Sequence, residues 1–87
     1  MAKTFTYLDG LIHSGDEELS LDDDIVLSPE EEEKYQNGIN VDADYLIIDG
    51  NSHTIDARGL ARIFNLNGDY CYLYDITFEN GFSKVMS

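Results

Sequence analysis

Apolar residues in the second half of this chain alternate with polar ones in short runs, and the runs recur at a nearly fixed spacing. Leu46 and Ile48, two apart, return 25 positions later as Cys71 and Leu73. Ile39 and Val41 return 25 positions on as Phe64 and Leu66, and His53 and Ile55 return 23 on as Ile76 and Phe78. Side chains along a strand flip with period two, so each pair shows one face. Three strand types in one order with one period mark an architecture in which no unit buries its apolar face without a neighbour. The pattern predicts a mainly β chain, a short right-handed parallel β-helix of about two to three coils over residues 39–82. The coils are expected to begin at Gly38, with Asp49-Gly50-Asn51, Asn67-Gly68 and Asn80-Gly81 as turns that tolerate positive φ.

The first half reads differently. Residues 4–14 fit one amphipathic helix, with Thr4 as its N-cap, Phe5, Leu8, Leu11 and Ile12 on one side, and Ser14-Gly15 as its stop. Placed before stacked strands, such a helix is expected to cap the open end of the apolar core; the alternative is a helix packed on the side of a sheet. Residues 16–28 read as a strand pair, Leu19 with Leu21 and Ile25 with Leu27, parted by Asp22, Asp23 and Asp24. Those carboxylates lack the alternating spacing and terminal Glu of a calcium loop, so a solvated turn is expected. Residues 28–38, SPEEEEKYQNG, form an acidic excursion. Ser28 followed by Pro29 and the first-turn glutamates suits one helical turn, and the charge run is expected to be solvated either way.

Composition narrows the partners. Eighteen acidic residues against five basic give a formal net charge of -13, which repels nucleic acid and anionic bilayers and leaves cations, cationic proteins or neutral sugars. No apolar run approaches a membrane span, and the N-terminus lacks the apolar centre of an export signal. With 87 residues the chain makes one small domain. The lone cysteine, Cys71, allows no internal disulfide and is expected to be a small buried apolar residue.

The run IIDGNSHTIDARGLARIFNLNG, followed by YLYDITFENG, resembles the repeat at the start of archaeal adhesin-like proteins, whose β-helix domains also resemble pectate-lyase-like and polymorphic outer-membrane repeats. The resemblance covers most of the chain, the family's leading helix, strand pair and variable loop falling on 5–12, 19–27 and 35–39. It implies a cell-surface binding or display scaffold, of which this chain holds the capped N-terminal portion; the alternatives are a fragment of a pectate-lyase-like carbohydrate-active enzyme and an acidic intracellular protein-interaction domain, and location is open for the chain as written.

Two clusters bear on chemistry. Asp49 and Asp56 flank His53, residue types suited to acid–base work on a glycosidic bond, but the position 25 after Asp49 is Tyr74, not the stacked cation a lyase-type site needs. Turn hydrogen bonds account for Asp49 and Asn51, and Asp56 with Arg58, or Arg62 with a neighbouring acid, is expected to pair at the surface. No catalytic residue, metal ligand or cofactor is assigned. The second cluster is the candidate site: Tyr70, Tyr72 and Tyr74 share one parity, with Tyr45 and Ile47 beneath Tyr70 and Tyr72. An aromatic ladder on a flat sheet suits a glycan or a surface protein, unless the 28–38 excursion or a second copy covers it. Unpaired backbone at 78–86 is further expected to drive self-association into homo-oligomers.

Overall fold

The computed structural model describes residues 2–59 and 63–80. It is mostly strand, with one short helix, α1 (Phe5–Ile12), and three parallel sheets. The strands are β1 (Glu18–Ser20), β2 (Ile25–Val26), β3 (Ile39–Val41), β4 (Leu46–Asp49), β5 (Thr54–Asp56), β6 (Phe64–Leu66), β7 (Cys71–Tyr74) and β8 (Thr77–Glu79). Strands three apart in the chain pair, giving sheets in the order β1-β4-β7, β2-β5-β8 and β3-β6. The register follows the sequence repeat residue by residue: Leu46 lies beside Cys71, Ile39 beside Phe64 and Ile55 beside Phe78.

One expectation needs correcting. Pairing does not begin at Gly38, because β1 and β2 already belong to the sheets: Leu19 pairs with Ile48 and Ile25 with Ile55. Their offsets of 29 and 30 residues exceed the later ones, since the 28–38 excursion lengthens this passage of chain without shifting the ladder.

Alternate residues of β1 to β7 point inward, as the period of two requires, whereas all three residues of β8 are exposed. Leu19, Leu21, Ile25, Leu27, Ile39, Val41, Leu46, Ile48, Ile55, Ile63 and Phe64 form one buried cluster. Each such side chain contributes roughly 1.5 to 3 kcal/mol on leaving water. Protection fades toward the last strands, where Cys71 and Leu73 are half-buried and Phe78 is exposed, edge-on to Phe64 at 6.2 Å. Among the described residues no strand pairs with the outer edges of β6, β7 and β8. Gly81 to Met86, the remainder of the segment expected to self-associate, and Arg62 lie outside the described residues.

At the other end α1 lies against β2 and β3. The Thr4 hydroxyl accepts the Tyr7 N–H as an N-cap, while Phe5, Leu8 and Ile12 enter the core. Just before the helix, Lys3 pairs with Ile25: its N–H donates to the Asp24 carbonyl at 2.8 Å and its carbonyl accepts from Val26 N–H at 2.8 Å. The free edge of β2 is thereby occupied. Gly10 faces open space on the exposed side of α1. Gly10→Ala is therefore expected to stabilise the chain by about 0.5 to 1 kcal/mol, read as a raised urea midpoint, because Ala sacrifices less backbone entropy in a helix.

The acidic excursion is not simply solvated. Ser28 and Pro29 open a 3-10 turn (Pro29–Glu31), and Glu31 is only 6 % exposed. Its Oε1 accepts N–H bonds from Phe5 and Ser28, both at 2.9 Å. Its Oε2 accepts from Thr6 N–H at 2.9 Å and from the Thr6 hydroxyl at 2.6 Å. One carboxylate thus satisfies the first amides of α1 and the start of its own turn. Tyr35 completes the junction, its ring edge-on to Phe5 at 5.8 Å and its hydroxyl donating to Asp9 at 2.7 Å. Charge repulsion among Glu30 to Glu33 is outweighed at Glu31 by four donors fixed around it.

Candidate ligand-binding face

The outward residues of the β1-β4-β7 sheet are the complement of its buried ones. With Leu46, Ile48, Cys71 and Leu73 turned toward the core side, Tyr45, Ile47 and Asp49 on β4 and its approach, and Tyr70, Tyr72 and Tyr74 on β7 and its approach, share the other face. The register sets Ile47 beside Tyr72 and Asp49 beside Tyr74, with Glu18 and Ser20 of β1 next to Ile47 and Asp49.

All four tyrosines are well exposed, Tyr70 and Tyr72 at 61 % and 60 %, Tyr45 and Tyr74 each at 46 %. They form two ring pairs. Tyr45 stacks on Tyr70 with centroids 5.5 Å apart and 24° between planes, and Tyr72 tilts toward Tyr74 at 6.0 Å. The excursion does not cover them, since Glu31 and Tyr35 hold it against α1. Partial desolvation, then the Asp49 carboxylate beside it, with smaller contributions from Glu18 and Asp75, push the Tyr74 phenol above its ordinary value. The face therefore combines neutral rings with a negative border.

Asp49, His53 and Asp56 each have other partners. Asp49 accepts the Asn51 N–H at 2.8 Å, a local turn bond that suits the left-handed φ of 52° at Asn51. Asp56 accepts from Arg58 N–H at 2.8 Å and from the Asn80 amide at 2.9 Å. The expected side-chain pair of Asp56 with Arg58 is thus replaced: the Arg58 guanidinium turns to Glu32 at 3.4 Å, because Asp56 is already bound to its backbone amide. His53 looks the other way, its Nδ1 3.2 Å from Asp24. The Thr54 N–H, at 2.9 Å, and then the His53 ring hold the Asp24 carboxyl below its ordinary value. Of Asp22 to Asp24, Asp22 accepts the Tyr7 hydroxyl at 3.2 Å, and Asp24 is taken up as above. No cluster of three or more His, Cys, Asp or Glu among the described residues could hold a metal ion. Cys71 is half-buried and its thiol is raised by desolvation, a small packing residue in keeping with its strand position.

Two groups escaped the sequence reading. Glu18 borders the tyrosine face only because β1 pairs with β4, which the 29-residue offset conceals. Glu31 carries a signal that periodicity does not use, the Ser28-x-x-Glu31 spacing of a capping box. No helix among the described residues is long and apolar enough to cross a membrane. Comparison of the chain with protein-family models, curated proteins and solved structures gives no match.

Proposed function

We propose that the chain is a non-catalytic binding scaffold: a short right-handed parallel β-helix capped by α1, which takes a partner on its tyrosine face. In this reading it is the N-terminal part of a cell-surface adhesin-like protein. The three parallel sheets support the architecture, because strands recur in the order of the three sheets and every partner is three strands away. Right-handed crossovers are the rule for parallel strands joined within one sheet. The α1 helix and the Lys3–Ile25 bridge then serve as the cap at the β2 side.

The observation that carries the binding function is the row of four exposed tyrosines bordered by Ile47. Aromatic rings left in water on a sheet whose other face is core present apolar area and hydroxyls together, as sugar rings and protein surfaces both require. The turn bonds of Asp49 and Asp56 and the turning away of His53 disfavour a lyase-type centre.

Arrays of glycans and of peptides, probed with the native chain and with Tyr72→Ala, test the proposal. Tyr72 is exposed, so its truncation should leave the fold intact and remove binding. Spots that the variant still binds as well as the native chain, or native protein binding nothing on either array, would count against the face.

A further inference from the structure

The tyrosine face also has an electrostatic character that selects among partners. Resting on the proposal that this face binds, we infer that its partner is an arginine-bearing polypeptide segment. Glu18 and Asp49 lie on the face itself, one strand from Ile47 and Tyr74 respectively. Asp75 follows Tyr74 in the chain, its carboxylate accepting from the Ser52 hydroxyl at 3.0 Å, and adds to the negative charge that raises the Tyr74 phenol.

No positive charge among the described residues answers them. Among the described residues the basic side chains are Lys3, Lys34 and Arg58, and none is on β1, β4 or β7. Lys3 sits over the Tyr7 ring at 5.0 Å, Lys34 over Tyr35 at 5.3 Å, and Arg58 beside Glu32. Among the described residues the fold thus uses its lysines twice in cation–ring contacts elsewhere and leaves the four tyrosines of this face without one. In a molecule of net charge -13, approach of a cationic segment is favoured at long range and that of an acidic one opposed.

Geometry prefers arginine to lysine. A guanidinium is planar, so it stacks on a phenol ring while its edge donates to a carboxylate in its own plane. Tyr74 with Asp49 beside it supplies both, at neighbouring strands about 4.8 Å apart. The tilted Tyr72–Tyr74 pair offers a second ring for a second arginine. A lysine ammonium reaches either group but lacks the flat face.

The test uses the intact chain and fluorescently labelled peptides of alternating arginine and glycine, with lysine and glutamate counterparts, beside a neutral glucose oligosaccharide, at about 0.05 M and about 0.5 M salt. The arginine peptide is expected to bind more tightly than the lysine one. Tyr72→Ala, which leaves the net charge unchanged, should weaken it about threefold to thirtyfold. Glu18→Gln should weaken it at low salt and less at high salt. Arginine-peptide binding that Tyr72→Ala does not alter would mean diffuse charge attraction alone and overturns the inference, as does an absence of binding. If the neutral oligosaccharide binds and is lost in Tyr72→Ala, the face stands and its arginine selectivity falls. If Tyr72→Ala alters neither ligand, both fall.

Discussion

Glu31→Ala is expected to cost about 3 kcal/mol of stability, the largest loss from removing one charged side chain among the described residues, and roughly 12 to 24 °C in Tm for a chain of this size. The reason is the number of donors abandoned. Phe5, Thr6 and Ser28 each lose the acceptor of a backbone N–H, and the Thr6 hydroxyl loses one as well. Bonds to an ionised acceptor exceed neutral ones, and a protected amide left without a partner keeps its desolvation cost. By contrast, truncation of an exposed neighbour such as Glu33 should lie within about 0.5 kcal/mol. Thermal unfolding followed by circular dichroism reads the difference; equal melting of the Glu31 and Glu33 variants would remove Glu31 from its assigned place.

The same group gives a pH dependence of definite sign. Burial opposes ionisation of Glu31, but the bonds from Ser28, Thr6 and Phe5 prevail and hold its carboxyl below the ordinary 4.5. A carboxyl more acidic in the folded than in the unfolded chain contributes stability above its unfolded value, and that contribution fades as the pH falls through the folded one. Asp24 acts in the same direction. Acid also relieves the repulsion within a chain of net charge -13, so the informative quantity is a difference. The stability gap between the native chain and Glu31→Gln should hold from neutrality down to about pH 5 and narrow below it.

Gly68→Ala should cost about 3 kcal/mol or more, from overlap. A Cβ on Gly68 would strike the carbonyl oxygen of Ala43 and stand 2.7 Å from its carbonyl carbon. Ala43 is held in the short passage between β3 and β4, and Gly68 N–H is itself bonded to the Val41 carbonyl at 3.1 Å. Gly68 cannot withdraw without giving up that bond. The same one-methyl addition at Gly10, where space is open, should stabilise. Opposite shifts in the urea midpoints of the two variants are thus expected, and a neutral Gly68→Ala would mean that the two passages of chain are not in contact.

The pairing of the later strands was legible in the sequence because it depends on a local rule applied twice. Alternation assigns the inward residues, and equal spacing sets like residues side by side, which is why Leu46 with Cys71 and Ile55 with Phe78 were readable in advance. The pairing of β1 and β2 was not, since the added length of the excursion breaks the spacing while the ladder ignores it. The tyrosine face follows from parity alone, so Tyr45, Ile47, Tyr70, Tyr72 and Tyr74 fall on one side from sequence. Its acidic border at Glu18 depended on the missed strand pairing. Glu31 stood in a run whose composition speaks for water, and its donors Phe5 and Thr6 lie 26 and 25 residues away. No periodicity joins a carboxylate to a helix start at that distance.

The unequal offsets along the ladders, 29 between Leu19 and Ile48 but 25 between Leu46 and Cys71, have a practical consequence for engineering and for descent with modification. Extra chain can be spliced between strands without disturbing which residues face inward, because a parallel ladder constrains the strands and not the path that joins them. The corners can therefore diversify while the stack endures. Foreign peptides grafted between Ser28 and Gly38, outside the Glu31 and Tyr35 anchors, would be carried as cargo.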